Sequence, residues 1–111
     1  MTDVDFTNEL WLFLSPWCEE AKLDDARYAE AIALAWVALW NYTLDSTSGS
    51  MGQIERVCKG LFDIPTEELV DVLKKRRTAF FPDDNRIIER YRVICRTDEF
   101  NLYVTFADPN R

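Results

Sequence analysis

A chain of 111 residues with 48% hydrophobic side chains, four Trp and seven Phe has apolar material for one core and too little for two. Thirteen basic against twenty acidic side chains give a net charge of −7, and histidine is absent. The missing imidazole removes the commonest general base and the usual metal ligand, along with the Ser–His and Cys–His nucleophile pairs.

The first element is expected from about Asp5 to Leu14, where Phe6, Leu10, Leu12, Phe13 and Leu14 are apolar. Ser15-Pro16 ends it, and the same pair can restart a helix carrying Trp17, Cys18 and Ala21. Asp24 or Asp25 then caps the strongest helix, running to about Tyr42. From Ala31 to Trp40 that helix is apolar on every side, which predicts that it is surrounded, with its alanines allowing close approach. This longest apolar run is about half of what a bilayer span needs. Asp45-Ser46-Thr47-Ser48-Gly49-Ser50 reads as a loop between two halves.

Ser50-Met51-Gly52-Gln53 has capping-box spacing, and Ile54, Val57, Cys58 and Leu61 follow at helical intervals with Gly60 as a C-terminal cap. Thr66 is expected to cap the next helix, with Glu67 and Glu68 in its first turn, Leu69, Val70, Val72 and Leu73 as its buried stripe, and Lys74 to Arg77 at its end. Pro82-Asp83-Asp84-Asn85 is a turn or a new helix start. Residues 86–91 fit a short helix as well as a strand. Finally Tyr91, Val93 and Cys95 alternate with Arg90, Arg92 and Arg96, and across a turn near Asp98-Glu99 the residues Phe100, Leu102, Val104 and Phe106 alternate with Asn101, Tyr103 and Thr105. Two alternating runs with a short link predict an antiparallel hairpin with one buried face.

The expected fold is therefore a single α+β domain, mainly α with a C-terminal β-hairpin. Residues 1–23 form a helical extension, 24–106 the helices plus hairpin, and 107–111 a loose tail. The expected core is Trp36, Leu39, Trp40, Val57, Leu69, Leu73, Val93, Leu102 and Val104. Cys18, Cys58 and Cys95 lie about forty residues apart and fit neither a disulfide framework nor a paired CxxC metal site. With no signal-peptide pattern in the opening residues, reduced thiols and a cytoplasmic location are expected.

Site chemistry is sparse. None of the three glycines fits GxxxxGK[ST] or GxGxxG. Pro82-Asp83 matches the start of a PD…(D/E)xK nuclease pattern, but no acidic-x-Lys follows it, and Glu20-Ala21-Lys22 lies far upstream. Glu67-Glu68 and Glu19-Glu20 are explained by helix first turns. No enzyme, cofactor or metal is expected.

Lys74-Lys75-Arg76-Arg77 has two readings: a phosphate contact, or cations complementing a helix C-terminus, with Asp71 one turn before Lys75. The order helix (about 52–59), turn, helix (about 66–77), hairpin resembles a winged helix-turn-helix, with the helix from residue 25 to 42 as its first. That resemblance covers about residues 25–106 and rests on element order. It implies a DNA-binding regulator whose nucleic-acid-facing set is Lys74, Lys75, Arg76, Arg77, Arg90, Arg92 and Arg96. The chain departs from the family in opening the recognition helix with Glu67, Glu68 and Asp71, and in its six-residue link, Gly60 to Pro65.

The charge is uneven. Residues 1–52 hold two basic side chains, Lys22 and Arg27, against nine carboxylates, whereas residues 53–111 carry eleven of each sign. An acidic N-terminal half with surplus aromatics suits docking to a basic protein. Trp36 and Trp40 belong to the core, leaving Trp11, Trp17, Phe80 and Phe81 beside Glu19, Glu20, Asp24 and Asp25 as the candidate protein-binding set. In composition the chain resembles phage-encoded inhibitors and bacterial immunity proteins. That resemblance implies non-catalytic binding to a nucleic-acid-handling partner. The short apolar run predicts no membrane, and a monomer or a homodimer through Trp11 or Trp17 is expected.

Overall fold

The computed structural model describes residues 4–17, 25–44, 49–96 and 99–107. Its elements are β1 (Val4–Asp5), α1 (Thr7–Leu14) followed by a 3-10 turn (Ser15–Trp17), α2 (Ala26–Leu44), α3 (Met51–Cys58), α4 (Thr66–Phe80), β2 (Ile88–Arg96) and β3 (Glu99–Phe106). The fold is α+β and mainly helical, with the predicted antiparallel hairpin inside a three-stranded sheet of order β1-β3-β2.

The chain start differs from expectation. Val4 and Asp5 pair with Val104 and Tyr103 of β3 before any helix begins. The Asp5 carboxylate then accepts the Thr7 N–H at 3.1 Å and the Thr7 hydroxyl at 2.6 Å, opening α1. That hydroxyl accepts the Leu102 N–H at 2.7 Å, and the Phe6 N–H donates to the Leu102 carbonyl at 2.9 Å. These bonds place Phe6 under the sheet. Phe6, Leu10, Phe13 and Leu14 are fully buried, although the sequence-based core began only at Trp36. Pairing between positions about one hundred residues apart leaves no trace in local periodicity.

Asp25 caps α2 by accepting the Arg27 and Tyr28 N–H groups at 2.9 and 3.4 Å, while Asp24 lies outside the described residues. The helix is not surrounded. Leu34 keeps 43% exposure, while Ile32, Ala33, Ala35, Trp36, Val37, Leu39 and Trp40 are buried. Ser50 and Gln53 form the predicted capping box at the start of α3. Lys59 ends that helix, and Gly60 follows with φ +78° as the Leu61 N–H donates to the Cys58 carbonyl at 3.0 Å, a turn in which glycine avoids the cost of a left-handed backbone. The N-cap of α4 is Pro65 rather than Thr66. The Thr66 side chain makes no cap bond, and the prolyl carbonyl accepts the Leu69 N–H at 3.0 Å.

Ile88 opens β2, so 86–91 resolves as coil into strand. Pairing runs Arg92↔Tyr103, Val93↔Leu102 and Cys95↔Phe100, with a bulge between Ile88 and Arg90. Leu102 and Val104 are fully buried on the inner face, whereas Val57 and Val93 are only partly buried. Asn41 of α2 seals the start of β2. Its amide donates to the Ile88 carbonyl and accepts the Ile88 N–H, both at 2.9 Å, as a neighbouring strand would. Replacing Asn41 with Leu should leave both buried backbone groups unpaired and lower unfolding free energy by about 2–4 kcal/mol. Urea denaturation checks this, and the Ile88 amide should lose hydrogen-exchange protection.

Candidate functional site

Helix α4 buries Leu69, Val70 and Leu73 on one stripe, and Arg77 falls one turn after Leu73 on the same stripe. Arg77 is 6% exposed, and its guanidinium lies 3.8 Å from the Trp40 ring centroid. One terminal nitrogen donates to the Trp40 carbonyl at 2.8 Å and to the Thr43 hydroxyl at 3.4 Å, and the other donates to the Asp84 carbonyl at 3.2 Å. The C-terminal turn of α2 thus receives the cation that its carbonyls and dipole favour. Burial pushes the Arg77 pKa down to about 10, with the Asp84 carboxylate opposing the shift.

Arg76 does the same for α1. Its Nε donates to the Phe13 carbonyl at 2.9 Å and a terminal nitrogen donates to the Leu12 carbonyl. The guanidinium lies 5.5 Å from the Trp17 ring centroid and 4.9 Å from that of Phe80. The expected four-residue basic cluster is therefore divided. Lys74 and Lys75 are exposed, Arg76 is half-buried, and Arg77 faces the core and cannot meet a ligand.

The division creates a surface of a different kind. Phe80 is 47% and Leu12 44% exposed, Trp17 is half-buried, and all three border Arg76. Two elements distant in sequence, the end of α1 and the end of α4, are thereby held together with apolar side chains outward. Beyond Phe80 the chain forms an open cleft lined by Phe80 to Arg86. At its floor the Arg86 guanidinium clamps the Asp84 carboxylate at 3.0 and 2.8 Å, and it stacks 4.2 Å from the Phe106 ring centroid. Hydrogen bonds from Arg86 hold the Asp84 carboxyl below its usual range despite partial burial.

The other candidates disperse. Trp11 is half-buried with its ring centroid 6.2 Å from that of Trp36. Phe81, expected at the surface, turns inward, 5.4 Å from Trp40 and 6.5 Å from Phe13 between centroids, because the Phe81 N–H closes α4 on the Arg77 carbonyl and directs the ring to the core. Asp25 is exposed but engaged as the α2 cap. Glu19, Glu20 and Asp24 lie outside the described residues. Arg90, Arg92 and Arg96 are exposed along β2. Cys58 is buried, and burial pushes its thiol up to about 11, so it stays protonated at neutral pH. Sequence reasoning missed Leu12 and the inward role of the two arginines, although their spacing of three and four residues from Leu73 carried the signal.

Because the folded Asp84 pKa lies below the unfolded value, its contribution to stability is present above about pH 4 and is lost as pH falls through the folded value. Asp84→Asn should therefore be less stable than the parent at pH 6, with the gap closing below about pH 4. Denaturant midpoints measured across that range check the sign.

Comparison with protein-family models, curated proteins and solved structures gave no match to this chain.

Proposed function

We propose that this chain is a non-catalytic module that binds a basic protein through the apolar surface around Arg76. The observation that carries the reading is the exposure of Phe80 and Leu12 next to a guanidinium fixed to α1 carbonyls. Large apolar side chains held rigidly at a surface lose little entropy on binding, which is the usual character of interface anchors. Glu19 and Glu20 follow Trp17 in the sequence, within the half of the chain that carries the acidic excess. Carboxylates of that acidic half would steer a basic partner. Inhibition of a nucleic-acid-handling protein, whose binding surface is basic, is the form of activity this arrangement suits.

The winged-helix regulator is the second reading. The order of α3, α4 and hairpin favours it, and Arg90, Arg92 and Arg96 stay exposed. Against it stand the inward-facing Arg77, the acidic first turn of α4 and a β1 that precedes α1.

A photo-crosslinking phenylalanine analogue at position 80 tests the proposal in lysate of cells making the protein. It should give one discrete adduct with a basic protein, and Glu19→Lys with Glu20→Lys should reduce that adduct at least tenfold. An adduct indifferent to charge reversal, or no adduct, contradicts the reading.

A further inference from the structure

The outer face of the sheet has chemistry unrelated to the patch around Arg76. Strand alternation turns Leu102 and Val104 to the core, so Asn101, Tyr103 and Thr105 face away from it. In register with them on β2 stand Ile94, Arg92 and Arg90, in that order. Arg90 and Arg92 are exposed, and the Arg92 guanidinium lies 5.1 Å from the Tyr103 ring centroid. Arg96 continues the row opposite Glu99. Among the described residues, the carboxylates near this face are Glu99 at the hairpin end, Asp5 beyond Tyr103 with Asn101 on its second oxygen at 3.5 Å, and Glu89 at the bulge. The acidic excess belongs to residues 1–52, of which the sheet receives only Val4 and Asp5 among the described residues.

We propose that this face binds the phosphate backbone of single-stranded nucleic acid, with Arg90 and Arg92 on phosphates and the Tyr103–Arg92 stack as the platform for one base. A row of cations beside an aromatic ring on a sheet suits unpaired strands with little sequence preference, and the Tyr103 ring is half-buried here. Duplex reading in the winged-helix manner would place α4 in the major groove, and α4 presents Glu67, Glu68 and Asp71 at its start while Arg77 is buried. An acidic peptide would find the cations but no apolar pocket, since Ile94 is the one aliphatic side chain in the register between Arg90 and Arg96 on this face.

Fluorescence anisotropy of a labelled dT12 strand, titrated with the full chain at low and then moderate salt, tests this. The parent should bind, and Arg90→Gln with Arg92→Gln should weaken binding at least tenfold. The double substitution should also reduce the slope of log affinity against log salt by about 1.4, for two phosphates lost. Tyr103→Leu should weaken binding about fivefold or more, within the range of one lost base stack. Lys74→Ala with Lys75→Ala should leave it unchanged, and a 12-base-pair duplex should bind more weakly. No binding at low salt, tighter duplex binding, a loss equal to that of the arginine variant from the lysine variant, or equal displacement by polyglutamate would each overturn the proposal.

Discussion

The cation of Arg77 lies against the face of Trp40, where several elements of this molecule meet. Trp40 is fully buried and meets Phe6, Phe13 and Phe81 edge to face, with centroids 5.0, 5.5 and 5.4 Å away. Its indole N–H donates to the Arg86 carbonyl at 2.9 Å. The link between β1 and α1, α1 itself, α2, the end of α4 and the segment leading into β2 therefore all converge on one ring. Arg77 adds the end of α2 and the Asp84 carbonyl to the same point. A buried guanidinium persists here because each terminal nitrogen finds a carbonyl and the ring supplies a negative face.

The same logic recurs at lower burial. Arg76 serves the last carbonyls of α1 while lying between Trp17 and Phe80, and Arg86 serves Asp84 while lying on Phe106. Arginine suits these places because its planar fork donates in several directions while its flat face stacks. These three arginines act mainly as internal connectors. Among the described residues this leaves Lys74, Lys75 and the β2 arginines, with Arg27, Arg56 and Lys59, as exposed basic side chains outside these contacts, a different distribution from that suggested by the linear charge map.

Much of the fold was legible. The hairpin follows from period-two alternation, the α3 start from Ser50 and Gln53, and α2 from its apolar run behind an aspartate cap. What escaped depended on partners distant in the chain. β1 exists because Val4 and Asp5 meet Val104 and Tyr103, and two residues carry no periodicity. Phe81 and Phe80 are adjacent and chemically identical, and only the closing turn of α4 decides which one faces inward. Arg77 was readable from its interval to Leu73, but the expectation that cations seek water outweighed it. The apolar patch was partly legible in Trp17 and Phe80, while Leu12 joins it only through the packing of α1 against α4.

That α4 is anchored by its arginines, with the lysines idle in the fold, is best tested by comparing Arg77→Met with Lys74→Met in urea denaturation. Methionine keeps an apolar stem at each position, so the difference isolates the guanidinium. Arg77→Met should cost about 2–4 kcal/mol through the lost guanidinium bonds to the Trp40 and Asp84 carbonyls, and Lys74→Met should stay within about 0.5 kcal/mol of the parent. Equal effects at the two positions, or an Arg77→Met protein as stable as the parent, would contradict the account.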